Sequence, residues 1–542
     1  AARAATERSA RIAELTEALA KATTSQDVVE AVAHRVLPPF HATGLVVQAV
    51  EGDHTYNLGR PVGYPRAFLE EVDGRARVAS DPVWDAISAG GPLFVSSAEE
   101  YAARFPELAH HPATTGKQSW AFLPLTVSGV SFGICVISFD QPRRLTAEER
   151  TLLSAISGLV AQALERARLY DAEHTRSRAL QRALLPQRLP ELPSCTAAAR
   201  YLPTDRGVAV GGDWYDVITL GGGRTALVIG DVMGRGVRAA AVMGQLRTAV
   251  RAYARLDLPP HEVLQLLDGL AVEIDANQIA TCVYAVHDPN EGRLVYASAG
   301  HLPILVRDEN GEVLRADEPT GPPLGTGGWV HSSGSVPLGP GATAVLYTDG
   351  LVERRDQDLD EGIAALARAL SGATGTPQVV CDRLVRSAGV TADHDDDVAV
   401  LVLQHPHRTG PAADLFRNAA LDLLGGVEAA PRARAFASGV LTSWRFPTEL
   451  HDLGVLAASE LVANSLQHGT PPMRLRLRRT DRRLIIEVTD GDDHLPRRRR
   501  AEPADESGRG IDIVATIASG WGSRRTPGGG KAVWCEFLLP KR

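Results

Sequence analysis

Four short acidic motifs stand at the ends of apolar, strand-like runs in the middle of this chain. The first is Val210–Val217, reading Val-Gly-Gly-Asp-Trp-Tyr-Asp-Val, and carries Asp213. Eighteen residues on, Ile229-Gly230-Asp231-Val232-Met233-Gly234-Arg235-Gly236 supplies the second acid. Leu346-Tyr347-Thr348-Asp349-Gly350 and Asp395-Asp396-Asp397-Val398 follow. The adjoining apolar runs are Thr225–Gly230, Thr343–Thr348 and Val398–Leu403. Strand ends in a stacked sheet bring distant sequence to one place. Carboxylates gathered there without matching Lys or Arg repel one another unless divalent cations neutralise them, and all-oxygen ligands favour Mg²⁺ or Mn²⁺ over Zn²⁺.

The 542 residues suggest three or four domains. A composition 44% hydrophobic and 23% charged, with net charge −8, is that of a globular protein and points away from nucleic acid and membrane insertion. Cys135, Cys195, Cys282, Cys381 and Cys535 are dispersed, with no Cys-x-x-Cys pair. That argues against a disulfide framework or zinc site and fits a reducing cytoplasm. Only Lys21, Lys117, Lys531 and Lys541 are lysines, a bias of GC-rich bacterial genomes. The opening Ala1-Ala2-Arg3, without Met, reads as a piece cut from something longer.

Residues 4–37 read as helix broken at Thr23-Thr24-Ser25, and residues 1–20 as either a packing helix or a signalling helix from an upstream region. Strands are expected at Gly44–Glu51, Leu93–Val95, Ser119–Val127 and Ser131–Phe139, and a helix from Thr146. Ala121-Phe122-Leu123-Pro124-Leu125, Gly133–Phe139 and Arg144-Leu145-Thr146 resemble the C-terminal half of a GAF domain. The resemblance covers roughly residues 20–168 and implies an α/β sensor over 21–168 with an unidentified small ligand. Cys135 is expected in the core, and His34, His41, His54, His110 and His111 at surface or capping positions. Residues 169–194 are expected as an amphipathic linker helix ended by Pro186; it packs on its own domain or forms the seam of a homodimer.

Together Gly211–Asp216, Gly230–Gly236, Ala299-Gly300-His301-Leu302-Pro303, Tyr347–Glu353 and Asp396-Asp397-Val398 resemble the PPM (type 2C) serine/threonine phosphatases, most closely the SpoIIE/RsbU branch. The resemblance implies an α-β-β-α sandwich over 195–404 holding two Mn²⁺ or Mg²⁺ ions. Asp213, Asp231, Asp349 and Asp396 would be ligands, with Asp231 as the bridge and the Val232 carbonyl contributing. Asp393, Asp395 and Asp397 are left open between ligand and turn carboxylate. Asp216 and His301 read as structural. By the same resemblance, the helix near Arg238–Tyr253 is where such enzymes are controlled.

After a linker at 405–414, Glu460, Asn464 and His468 fall at i, i+4 and i+8 on one helix face. Asp490-Gly491-Asp492, Gly508-Arg509-Gly510 and Gly528-Gly529-Gly530-Lys531 follow. This order resembles the GHKL ATP-binding domain of RsbW/SpoIIAB-type anti-sigma-factor kinases and implies a two-layer α/β sandwich over 415–542. Asn464 would ligand Mg²⁺, Asp490 accept from adenine, Gly508 and Gly510 approach phosphates, Lys531 bind the nucleotide, and Glu460 act on a serine hydroxyl. Two departures stand out: the basic run Arg497–Arg500, and Ala532 where a hydroxyl residue is common.

The whole reads as an α/β and α+β multidomain cytoplasmic regulator. Its expected substrate is a phosphorylated STAS-type anti-sigma-factor antagonist, with a sigma factor as further partner. The alternatives are an ATP-dependent partner switch that sequesters proteins without phosphotransfer, and an enzyme acting on nucleotide phosphoanhydrides.

Overall fold

The structure, a computed structural model, describes residues 2–78, 80–204, 211–328, 330–354, 357–390, 396–496 and 510–540. Asp393, Asp395, Arg497–Arg500, Gly508 and Arg509 lie outside the described residues. The chain divides into two compact units, Ala1–Arg176 and Ser177–Arg542.

In the first unit the break at Thr23–Ser25 has a local cause. Thr24 caps the helix Ser25–Arg35: its side chain accepts from Asp27 N–H while the Asp27 carboxylate accepts from Thr24 N–H, a reciprocal capping box that ends the preceding helix Ala2–Lys21. Six strands form one antiparallel sheet with Gly44–Glu51 and Val130–Phe139 at its centre. Alternation splits their side chains between two cores. Leu45, Val47, Leu123 and Ile137 pack on helices that supply Leu15, Val32, Val160 and Leu164. Val46, Phe122 and Val136 pack on the opposite face with Tyr101 and Phe105. Cys135 is buried in the first core. His111 departs from the surface reading: it is buried, because the Tyr101 hydroxyl at 3.0 Å and the Glu71 carboxylate at 3.1 Å satisfy both ring nitrogens.

The second unit contains two stacked five-stranded antiparallel sheets. One runs in the order Gly334–Pro337, Arg293–Ala299, Ala280–Asp288, Thr225–Val232, Asp213–Thr219. The other runs Val313–Ala316, Ile304–Arg307, Thr343–Tyr347, Val398–Gln404, Thr196–Leu202. Leu346, Leu401 and Leu403 share a core with Leu227 and Ile229 of the facing sheet. Their strand neighbours Val345, Tyr347, Val400 and Val402 point the other way, onto Ile363, Leu366, Val380 and Leu384 of the helices Leu359–Ser371 and Pro377–Ser387. Helices Val237–Ala254 and Pro260–Ile274 cover the first sheet through Leu246, Val250 and Leu264. The result is four layers, α-β-β-α.

A third five-stranded sheet, ordered Arg417–Leu423, Met473–Arg479, Arg483–Asp490, Lys531–Leu538, Gly520–Arg525, is covered on one face by helices Ala429–Ser443, Thr448–His468 and Gly510–Ile517. Its other face meets the sandwich at the Gly221–Gly223 turn. A Cβ at Gly221 would lie 1.7 Å from Trp534 Cζ2, so this close approach requires glycine. Charges join across the contact: Arg524, paired within its own sheet to Glu487 at 2.7 Å, reaches Asp288 at 3.4 Å, and Arg476 reaches the half-exposed Glu291 at 2.6 Å. Among the described residues no helix is long and apolar enough to cross a membrane.

Candidate functional site

The centre of the sandwich's acidic end is a strand pair. Asp213 opens the strand Asp213–Thr219 and lies directly opposite Asp231, near the end of Thr225–Val232. Like charges facing across a ladder destabilise it, so this pairing needs an external reason. Asp349 joins from the turn after Thr343–Tyr347, and ligand atoms of the three carboxylates all lie within 4.8 Å of one another. Gly212 permits the approach of a fourth oxygen. A Cβ there would sit 2.1 Å from the Val232 carbonyl oxygen and 2.8 Å from Asp231 Oδ1.

The two neighbouring acids of the last motif take different places. Asp396 is half exposed and pairs with Arg235 at 3.1 Å. Asp397 is buried behind the cluster, where a Cβ at Gly211 would fall 1.1 Å from its Oδ2. Its Oδ1 accepts from Thr204 N–H at 2.8 Å, and its Oδ2 accepts from the Tyr201 hydroxyl at 2.9 Å and Gln181 Nε2 at 3.2 Å. The glycine pair before Asp213 therefore exists because one oxygen-bearing group presses on each glycine. The structure brings Asp213, Asp231 and Asp349 into one cluster; Asp396 and Asp397 stand at its rim and at its back.

Burial and mutual repulsion set the electrostatics. Burial, then Asp231 and Asp397, pushes the Asp213 carboxyl well above the usual range. Burial, then the Asp349 charge, pushes Asp231 up to about 7. Asp349 is raised by burial and then by Asp396. The Thr348 hydroxyl donates to Asp213 Oδ2 at 2.6 Å and itself accepts from Ala399 N–H at 2.9 Å. A largely buried cluster of carboxylates with no facing Lys or Arg among the described residues, all hard oxygen donors, suits a divalent cation.

Asp216 and His301 hold the scaffold. Asp216 accepts from Arg247 at 2.9 Å and from Arg251 at 2.5 and 2.8 Å, tying the helix Val237–Ala254 to the strand of Asp213. His301 bridges the Thr281 hydroxyl at 2.8 Å and the Tyr347 carbonyl at 3.0 Å. Cys282 is fully buried, and burial raises its thiol far above the neutral range.

In the third sheet's region, Glu460 and Asn464 project from the helix Thr448–His468. Glu460 faces the start of the helix at Gly510, where a Cβ would lie 2.8 Å from its Oε2. Among the described residues Asn464 Nδ2 is buried without a hydrogen-bond partner, an unmet donor on the helix face expected to meet nucleotide. Asp490 is fully buried. Its Oδ2 accepts from the Ser465 hydroxyl at 2.8 Å and its Oδ1 from Lys531 Nζ at 3.0 Å. Lys531 also reaches Asp492 Oδ2 at 3.1 Å and the His468 carbonyl at 3.3 Å. Sequence reasoning missed Gln181, Tyr201, Thr204 and Ser465. Thr348 alone had a signal, its position directly before Asp349.

Four layers with a carboxylate cluster at the central strand ends define a type 2C-like sandwich within a mixed α/β multidomain chain. The matching family models are a GAF domain over residues 22–165, Stage II sporulation protein E (SpoIIE) over 221–406, and a Histidine kinase-like ATPase domain over 426–536. The chain thus carries one domain of each kind, in that order. It is 30% identical over 212 residues to Protein IcfG of Synechocystis sp. (strain ATCC 27184 / PCC 6803 / Kazusa), covering 34% of this chain and 33% of that protein. It is 25% identical over 181 residues to Phosphoserine phosphatase RsbU of Bacillus subtilis (strain 168), covering 33% of this chain and 53% of that protein. The chain therefore spans between a third and about half the length of these relatives. Among solved structures, the RsbU and RsbW domains of Rv1364c from Mycobacterium tuberculosis align at 26% identity over 66% of this chain and 97% of that one, with a TM-score of 0.40.

Proposed function

We propose that residues 195–404 form a metal-dependent protein serine/threonine phosphatase. Its substrate is a phosphorylated STAS-type anti-sigma-factor antagonist, and the GAF region at 21–168 regulates it. The observation that carries the reading is the convergence of Asp213, Asp231 and Asp349 with their ligand atoms within 4.8 Å. Further support comes from RsbU, whose name makes it a phosphoserine phosphatase. Asp213, Asp231, Asp349 and the Val232 carbonyl would hold two Mn²⁺ or Mg²⁺ ions, with Asp396 and Asp397 as the remaining carboxylates. Ions so held lower the pKa of a bound water and offset the charge of a phosphoryl group. Thr348 orients Asp213 and favours its charged form by donating to it, and Arg235 at the rim gives the exposed Asp396 a counter-charge.

For residues 415–542 the reading is an ATP- and Mg²⁺-binding, anti-sigma-factor kinase-like domain that acts on the same antagonist and opposes the phosphatase, with Asn464 toward the metal and Glu460 toward the serine. A second reading for this domain is partner binding without phosphotransfer. The commitment of the Lys531 ammonium to Asp490 and Asp492 favours it, since that cation is spent inside the protein.

The test is phosphate release from a serine-phosphorylated STAS protein with Mn²⁺, comparing wild type with Asp349→Asn. Metal-dependent release that Asp349→Asn abolishes is expected. Release at the wild-type rate from Asp349→Asn would remove the site assignment.

A further inference from the structure

The helix Ala147–Leu184 ends against the acidic centre. Gln181, on its last turn, is buried, and its amide nitrogen is 3.2 Å from Asp397 Oδ2. The same nitrogen also donates to the Tyr201 hydroxyl, which passes its own hydrogen to that oxygen at 2.9 Å. One carboxylate oxygen thus receives two donors, one from the strand Thr196–Leu202 and one from the helix. Asp397 sits behind the cluster, and two residues on, Ala399 N–H holds the Thr348 hydroxyl that donates to Asp213. The helix end is fixed at a second point. Arg247 Nη1 donates to the Leu184 carbonyl at 2.6 Å while Arg247 Nε holds Asp216 at 2.9 Å. Gly244 leaves room for the Leu184 side chain: a Cβ there would lie 2.8 Å from Leu184 Cδ2.

We infer that Gln181 is a positioning residue of the metal centre: the site reaches full metal affinity only while the Gln181 amide donates to Asp397. The inference rests on the metal-dependent reading above and names a residue that orients that centre. A buried carboxylate beside other carboxylates turns its oxygens toward whatever donors it has. With both donors in place, Asp397 is held at one orientation behind Asp213; without the Gln181 amide, Oδ2 keeps, among the described residues, only the Tyr201 hydroxyl. Outer partners of this kind are worth about 10- to 100-fold in metal affinity.

The experiment is Mn²⁺ binding to the full chain, by calorimetry and by the electron paramagnetic resonance signal of free Mn²⁺, for wild type and Gln181→Met. Methionine keeps the length and bulk and removes the donor. The expected result is a Kd raised about tenfold. The Mn²⁺ concentration for half-maximal phosphate release should rise in parallel, with kcat at saturating Mn²⁺ unchanged. A merely structural role would lower folded yield or kcat without that split. Should Gln181→Met not fold, Gln181→Asn, one methylene too short to reach, gives the same reading. A folded variant that binds Mn²⁺ as wild type does overturns the inference and leaves the phosphatase reading intact. A wild type that binds no Mn²⁺ overturns both.

Discussion

The chain holds two buried acidic centres that solve the same problem in opposite ways. At Asp213, Asp231 and Asp349, carboxylates face carboxylates, and every one of them is pushed upward by burial and by its neighbours. At Asp490 the carboxylate faces Lys531 at 3.0 Å, and both side chains are almost fully buried. The second centre is neutralised by the fold itself; the first faces no Lys or Arg among the described residues. A buried charge costs several kcal/mol unless it is paired, so the unmatched centre has to draw its counter-charge from outside. The matched centre needs no ion to be stable. The two regions have similar acidic motifs in sequence and differ in whether the fold also provides a lysine.

Removing the internal cation should have the largest effect. Lys531→Met leaves Asp490 buried and unpaired, which should destabilise residues 415–542 by about 3–5 kcal/mol. Hydrogen exchange on the full chain should show amides of Arg483–Asp490 and Lys531–Leu538 losing protection while Thr225–Val232 keeps its own. Unchanged protection in all three strands would mean that the pair does not hold the third sheet together.

A smaller effect is expected from pH in the metal-free protein. Asp231 has its carboxyl raised to about 7 from an ordinary 3.8. A raised folded-state pKa gives a stability contribution that is complete below the unfolded value and is lost as pH rises through the folded one. With chelator present, the thermal midpoint of the sandwich should therefore fall as pH rises from about 4 through about 7. The fall should be up to about 10 °C, since about three pKa units are worth about 4 kcal/mol and about 1 kcal/mol moves a domain of this size by about 2–4 °C. Saturating Mn²⁺ should flatten that slope, because cations replace protons as the neutralising charge. An apo midpoint that rises across this window would contradict the picture of unmatched carboxylates.

How much of this was legible in the sequence follows from the range of the interactions. Leu93–Val95 and Ser119–Val127 form strands at the residues that their patterns predict, and the Thr24 cap breaks the N-terminal helix where Thr23-Thr24-Ser25 announces it. The acidic motifs were legible because each sits at the end of its own apolar run. The contacts that position them were not. Gln181 and Asp397 are 216 residues apart, Thr204 and Asp397 are 193 apart, and no local periodicity records such pairs. For the same reason the motif Asp395-Asp396-Asp397 left the roles of Asp395 and Asp397 open. Only the tertiary fold separates an exposed Asp396 on Arg235 from a buried Asp397 behind the cluster. The Gly221–Gly223 turn reads locally as a loose loop, yet Trp534 from the third sheet packs onto it. His111 reads as a surface histidine until the fold sets Tyr101 and Glu71 on either side of its ring.

The most direct measurement is Mn²⁺ binding by the full chain near pH 7.5, comparing wild type with Asp231→Asn. Two ions per wild-type chain are expected and, in the variant, an affinity loss beyond the roughly 10- to 100-fold that outer partners are worth. The metal-free variant should at the same time be more stable than metal-free wild type, because one repelling charge has gone. Equal Mn²⁺ affinity in the two proteins, or a variant less stable without metal, would contradict the claim that the three aspartates are an unpaired cation site.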